Sequence, residues 1–100
     1  MPKLNMAFPY HFDQGEALRR IQKLLPEIKD EYANDVSGLR ENWQGNTGQF
    51  SFKAKGFSVS GTLSVEPSSV KLVANLPFAA SLIQGKIESR IKERAEKLLA

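Results

Sequence analysis

Side chains that could carry out acid–base or metal chemistry are few in this sequence. The single histidine, His11, stands two residues before Asp13, where one imidazole could carry a proton or bind a metal ion. Metal sites need several ligands, however, and a turn histidine beside a helix cap explains the same pair. An enzyme would have to rely on His11, Tyr10 or Glu41, because catalytic and phosphate-binding motifs are absent from the sequence. We therefore expect no enzymatic activity, cofactor or metal.

A carboxylate and a guanidinium form the most unusual polar pair. The predicted strand register directs Glu41 to the core face beside Trp43, and a helical wheel puts Arg94 between Ile83 and Ile87. Both charges should be partly buried, where they would either grip a ligand or pair with each other at the open end of the core. Glu41, Trp43 and Arg94 are therefore candidate binding residues.

Two large apolar residues lie off the inner stripe of the predicted C-terminal helix. Phe78 and Leu82 stand four residues apart and could dock on a hydrophobic surface or on a second subunit. Alternatively, they pack on the first helix or on a loop. They complete the set of candidate binding residues.

Strand and helix periods in the N-terminal third predict the elements that position these residues. Residues 3–10 alternate in the manner of a half-buried strand, which Pro9 restricts to a sheet edge. Asp13 is the predicted N-cap of a first helix, with Glu16 in the capping-box position, and Pro26 should kink that helix. Its inward stripe consists of Ala17, Leu18, Ile21, Leu24, Leu25, Ile28 and Tyr32.

Three turns, at residues 45–46, 55–56 and 66–69, predict a common register for four further strands. The paired positions are Trp43 with Gly48, Leu39 with Phe52, Phe52 with Val59, and Leu63 with Leu72. All the apolar side chains then fall on one face, and the opposite face is polar.

A second helix is predicted from Phe78 to Leu99, in which Gly85 indicates a close approach to a neighbour. The element order β-α-β-β-β-β-α predicts an α+β two-layer sandwich. Its five-stranded antiparallel sheet has the strand order 2-3-4-5-1 and carries both helices on one face. The outline resembles a shortened helix-grip fold.

Composition indicates one cytoplasmic domain over residues 1–100. The chain has 41% hydrophobic and 25% charged residues, no cysteine, and no apolar run long enough to span a membrane. Its net charge of +3 lies in the second half, which could attract an anionic partner. Sequence-specific nucleic-acid binding is not expected, because every strand aromatic falls on the core face and leaves no base-stacking platform.

Three segments of the sequence resemble one family, the polyhydroxyalkanoic acid system proteins of bacteria. The segments are residues 9–20, Trp43 to Phe52, and Leu76-Pro77-Phe78 followed by 85–88 and Ile91. The resemblance covers nearly the whole chain, and it implies a cytoplasmic, non-catalytic role at or near polyester storage granules. Granule surface and granule proteins are then the expected partners, and a homodimer is left open. The alternative function is carriage of a small acyl-type ligand between the sheet and the C-terminal helix.

Overall fold

The chain forms a five-stranded antiparallel sheet with helices packed on one of its faces. The structure is a computed structural model that describes residues 3–100. Its elements are β1 (Lys3–Pro9), α1 (Gln14–Ile21), α2 (Leu24–Glu31), β2 (Val36–Gln44), β3 (Thr47–Ala54), β4 (Phe57–Val65), β5 (Ser69–Asn75), a 3-10 helix (Phe78–Ile83) and α3 (Gln84–Leu98). The strand order is β1-β5-β4-β3-β2. The predicted α+β class and strand order are confirmed, and β1 lies at an edge as Pro9 requires.

The predicted strand register is confirmed at all three turns. Trp43 pairs with Gly48, Phe52 with Val59, and Leu63 with Leu72. Because side chains alternate between the two faces of a strand, this register gathers the apolar side chains on the face that the helices cover.

The prediction that Leu39 pairs with Phe52 is wrong, because β2 contains a bulge. Ser37 pairs with Lys53 and Arg40 pairs with Ser51, so Gly38 and Leu39 together lie opposite Phe52. Gly38 has a φ of 64°, in the left-handed region that glycine adopts without strain. The extra residue shifts the first part of β2 by one position relative to the predicted pairing.

The first predicted helix is two helices, and its break lies before Pro26 rather than at it. α1 ends at Ile21 with Gln22 as its C-cap, and α2 begins at Leu24. A proline ring clashes with the carbonyl four residues earlier, which here belongs to Gln22. Pro26 is instead the third residue of α2, where a backbone N–H would have no partner within the helix.

The second predicted helix begins as a 3-10 helix of six residues before α3 takes over. The predicted close approach at Gly85 is wrong, because a Cβ there would meet no atom within 4 Å. Gly85 is the second residue of α3 and is exposed. It therefore lies in the junction between the two helical segments, away from any neighbouring element.

One hydrophobic core lies between the sheet and the helices. The sheet contributes Leu4, Phe50, Phe52, Val59, Leu63, Val70, Leu72 and Ala74, and the helices contribute Ala17, Ile21, Leu24, Leu25, Ile28, Ile91 and Ala95. Ile87 is half-buried against the same cluster. The other face of the sheet is open, with Val73 as its exposed large apolar residue.

The start of α1 is held by a cap and by a cluster of two arginines. Asp13 Oδ2 accepts the N–H of Glu16 at 3.1 Å, as the sequence predicts. The carboxylate of Glu16 does not return to the cap, because it accepts hydrogen bonds from Arg19 at 3.0 Å and from Arg20 at 2.8 Å. Arg20 also donates to the carbonyl of Ala100 at 3.0 Å, which ties α1 to the C-terminus.

The Glu16 cluster predicts a pH dependence of stability. Hydrogen bonds from Arg19 and then Arg20 lower the pKa of Glu16 to about 2, from an ordinary value of 4.5. A lowered pKa stabilises the fold above the unfolded pKa, and the contribution is lost as the pH falls through the folded value. We expect Glu16→Gln to lower the melting temperature at neutral pH and the difference from wild type to shrink between pH 4.5 and about 2. A pH-independent difference in thermal melts would contradict this role.

Candidate functional site

The most exposed large apolar side chains of the described chain belong to the 3-10 helix. Phe78 is 73% exposed and Leu82 is 95% exposed. The alternative that they pack on the first helix or a loop is therefore wrong. Ala79 and Ser81 are exposed as well. We call Phe78, Ala79, Ser81 and Leu82 the apolar patch.

Buried neighbours force the apolar patch outwards. Leu76 and Ala80 are fully buried, so the segment is anchored in the core on both sides of Phe78. Pro77 takes an extended conformation and its carbonyl accepts the N–H of Ala80 at 2.9 Å, which starts the 3-10 turn. The side chain of Gln84 donates to the carbonyl of Lys3 at 3.2 Å and fixes the other end of the segment to β1. The patch is therefore held in place rather than free to fold back.

The sequence around the apolar patch carries no charge. Residues 72–85 contain no acidic or basic side chain, and the first cation after the patch is Lys86. Bringing this segment against an apolar surface would therefore desolvate no ionised side chain within it, which avoids the largest cost of such a contact.

Glu41 and Trp43 lie together in β2. The indole Nε1 of Trp43 donates to Glu41 Oε1 at 3.3 Å. The ring of Trp43 covers Gly48 on β3, where a Cβ would lie 2.5 Å from ring atoms. Burial raises the pKa of the Glu41 carboxyl, and the bond from Trp43 offsets part of that rise. The pair is thus a local feature of the β2 edge of the sheet.

Arg94 does not pair with Glu41, which corrects the predicted ion pair. Arg94 donates to Glu27 Oε1 at 3.2 Å and also to Glu31, and both carboxylates belong to α2. The register placed Glu41 on the correct face of the sheet but could not show which element lies beside α3. That element is α2, so Arg94 joins two helices and has no free donor set aimed at a ligand.

The residues on which an enzyme would rely are not brought together. His11 is exposed in the loop before α1, and the hydroxyl of Tyr10 donates to the carbonyl of Glu66. Burial, and then the charge of Asp13, raise the pKa of Tyr10. Glu41 lies in β2, at the opposite edge of the sheet from β1, about 19 Å away by strand spacing. Within residues 3–100, no three His, Cys, Asp or Glu side chains are placed to hold a metal ion.

An apolar cavity of about 130 Å³, which sequence reasoning missed, lies between the sheet and the helices. Its walls include Leu25, Ile28, Val36, Phe52, Ile87 and Ile91. They come from α2, β2, β3 and α3, so no single pattern in the sequence could have revealed it. The half-open mouth is lined by Asp35, Lys55, Lys86 and Arg90.

Fold and site together define a small α+β protein with one open sheet face, an exposed apolar patch and an apolar cavity. The chain belongs to the family described as "putative polyhydroxyalkanoic acid system protein", whose model matches residues 8–99. The family that the sequence resembles is thereby confirmed. Within residues 3–100 no helix is both long and apolar enough to cross a membrane.

A solved structure with a related chain course is that of TTHA0849 from Thermus thermophilus. It shares 15% identity with this chain, and the match covers 98% of this chain and 92% of that one with a TM-score of 0.37. A likeness of that size says nothing about function. No curated protein matches this sequence.

Proposed function

We propose that this protein is a non-catalytic accessory protein that docks on the surface of polyester inclusions through the apolar patch. The observation that carries the proposal is the exposure of Phe78 and Leu82 at 73% and 95% in a chain of the polyhydroxyalkanoic acid system family. In this proposal the protein acts in the cytoplasm, where the granule or the proteins on it are its partners.

The apolar patch offers enough binding energy for reversible docking. Burying an exposed Phe or Leu side chain contributes about 1.5–3 kcal/mol, so the two together are worth about 3 kcal/mol when only partly covered. An energy of that size changes a binding constant by about two orders of magnitude. It suits a protein that exchanges between the inclusion surface and solution.

Sedimentation with polyhydroxybutyrate particles tests the proposal. We expect the purified protein to pellet with the particles in a saturable manner, and the bound fraction to persist at about 1 M salt because the contact is apolar rather than ionic. Absence of binding, or release by salt, would contradict the proposal. A mass in solution twice that of the monomer, together with no binding to particles, would instead assign the patch to a homodimer.

The apolar cavity supports a second candidate function, carriage of a small apolar ligand between the sheet and α3. A cavity of about 130 Å³ with six aliphatic or aromatic walls is of the size that binds small apolar molecules. A neutral probe such as 1-butanol should therefore shift the amide resonances of Val36, Ala54 and Ile87 in NMR spectra. Unchanged resonances at saturating probe would remove this candidate.

A further inference from the structure

Two cations without a partner stand at the mouth of the apolar cavity. Lys86 and Arg90 are one turn apart on α3, and both line the mouth. Neither forms an ion pair with any carboxylate of residues 3–100. Arg90 instead lies over the ring of Tyr32, with its Cζ 5.1 Å from the ring centre. The ring holds the guanidinium beside the opening and neutralises none of its charge.

The remaining charges at the mouth cancel each other. Lys55 Nζ lies 3.3 Å from Asp35 Oδ1, and both residues line the same opening. The four charged residues of the mouth therefore carry a net charge of +2, all of it from Lys86 and Arg90. An anionic group at the opening would meet two cations and no unpaired carboxylate.

The size of the cavity limits the apolar part of a ligand. An engineered cavity of about 150 Å³ takes a benzene molecule, which has six carbons. The cavity here is about 130 Å³, so it accepts an aliphatic chain of about four or five carbons. Its walls Ile28, Phe52 and Ile91 offer no ionic partner for a polar group, which leaves the mouth as the place for a charged end.

We propose that the cavity binds short-chain aliphatic carboxylates, with the hydrocarbon among Ile28, Phe52 and Ile91 and the carboxylate between Lys86 and Arg90. The inference rests on the second candidate function, ligand carriage, and adds the ligand class and the residues that select it. Arginine and lysine differ in their roles here, because the guanidinium can take a carboxylate in a two-pronged contact and the ammonium acts as a point charge.

Paired NMR titrations with butyrate and 1-butanol test the ligand class. Both should shift the amides of Val36, Ala54 and Ile87, and butyrate should bind about tenfold more tightly, as two solvent-accessible charge contacts allow. Lys86→Ala combined with Arg90→Ala should bring butyrate to the affinity of 1-butanol and leave 1-butanol unchanged. The matched control is Lys92→Ala with Lys97→Ala, which removes the same charge from α3 away from the mouth and should change neither affinity.

Filling the cavity tests the site itself. Val36→Phe enlarges a half-buried wall residue and should abolish binding of both ligands. Ile87→Phe, which enlarges a wall residue on α3, provides an independent second variant if the first does not fold. Along a series from acetate to octanoate, affinity should peak at about four or five carbons, because a longer chain has no further space in the cavity.

The outcomes separate this inference from the function on which it rests. Binding of 1-butanol with no tighter binding of butyrate would overturn the carboxylate assignment and leave ligand carriage standing. Silence of both ligands would overturn the two together. Affinity that rises steadily through octanoate, or butyrate binding that survives loss of both cations, would also overturn the assignment.

Discussion

Replacement of Phe78 and Leu82 by aspartate is expected to weaken binding to polyhydroxybutyrate particles by about 100-fold. The two wild-type side chains are 73% and 95% exposed, so the substitution removes apolar contact area without opening the core. Two carboxylates on the apolar patch would also have to be desolvated against the polyester, which adds to the loss. The measurement is the bound fraction after sedimentation across a range of particle concentrations.

The control for this variant must add the same charge elsewhere. Asn42→Asp with Asn75→Asp introduces two carboxylates at exposed positions on β2 and β5, with almost no change in side-chain shape. We expect this protein to bind particles as wild type does. Equal binding by the two double variants, each with an unchanged melting temperature, would show that the apolar patch is not the docking surface.

Gly61→Ala is expected to destabilise the fold by about 3 kcal/mol. A Cβ at Gly61 would lie 2.0 Å from the carbonyl oxygen of Val73 and 2.6 Å from Cα of Ala74, on the strand paired with β4. Both are backbone atoms inside the sheet, so no side-chain rotation relieves the clash. The free energy of unfolding in urea measures the cost.

A second glycine offers the matched control for Gly61. A Cβ at Gly85 would meet no atom within 4 Å, and the residue lies exposed in the first turn of α3. Gly85→Ala should therefore stabilise the protein by roughly 0.5–1 kcal/mol, because alanine has the higher helix propensity. A Gly61→Ala protein as stable as wild type would mean that β4 and β5 do not approach as closely as described.

Sheet topology could be predicted because several independent signals agree. The turns at residues 45–46, 55–56 and 66–69 each fix a register, and all three place the apolar residues on one face. The bulge at Gly38 escaped prediction because one inserted residue leaves the alternation on either side intact. The break before Leu24 escaped it because the apolar stripe continues across the break into α2.

The candidate site could be predicted only where one segment decides it. Phe78 and Leu82 lie off the inner stripe, and their exposure follows from that local pattern. The partners of Arg94 depend on which helix lies beside α3, and this is set by the packing of the whole core. The apolar cavity likewise arises from four elements at once, so no spacing in the sequence encodes it.

Hydrogen–deuterium exchange on particle-bound protein tests the docking surface most directly. The backbone amides of the 3-10 helix lie in an exposed, short segment and should exchange quickly in free protein. On addition of polyhydroxybutyrate particles, we expect slower exchange confined to residues 76–86, with the open face of the sheet unchanged. Protection on that open face, or none in residues 76–86 while the protein is bound, would contradict docking through the apolar patch.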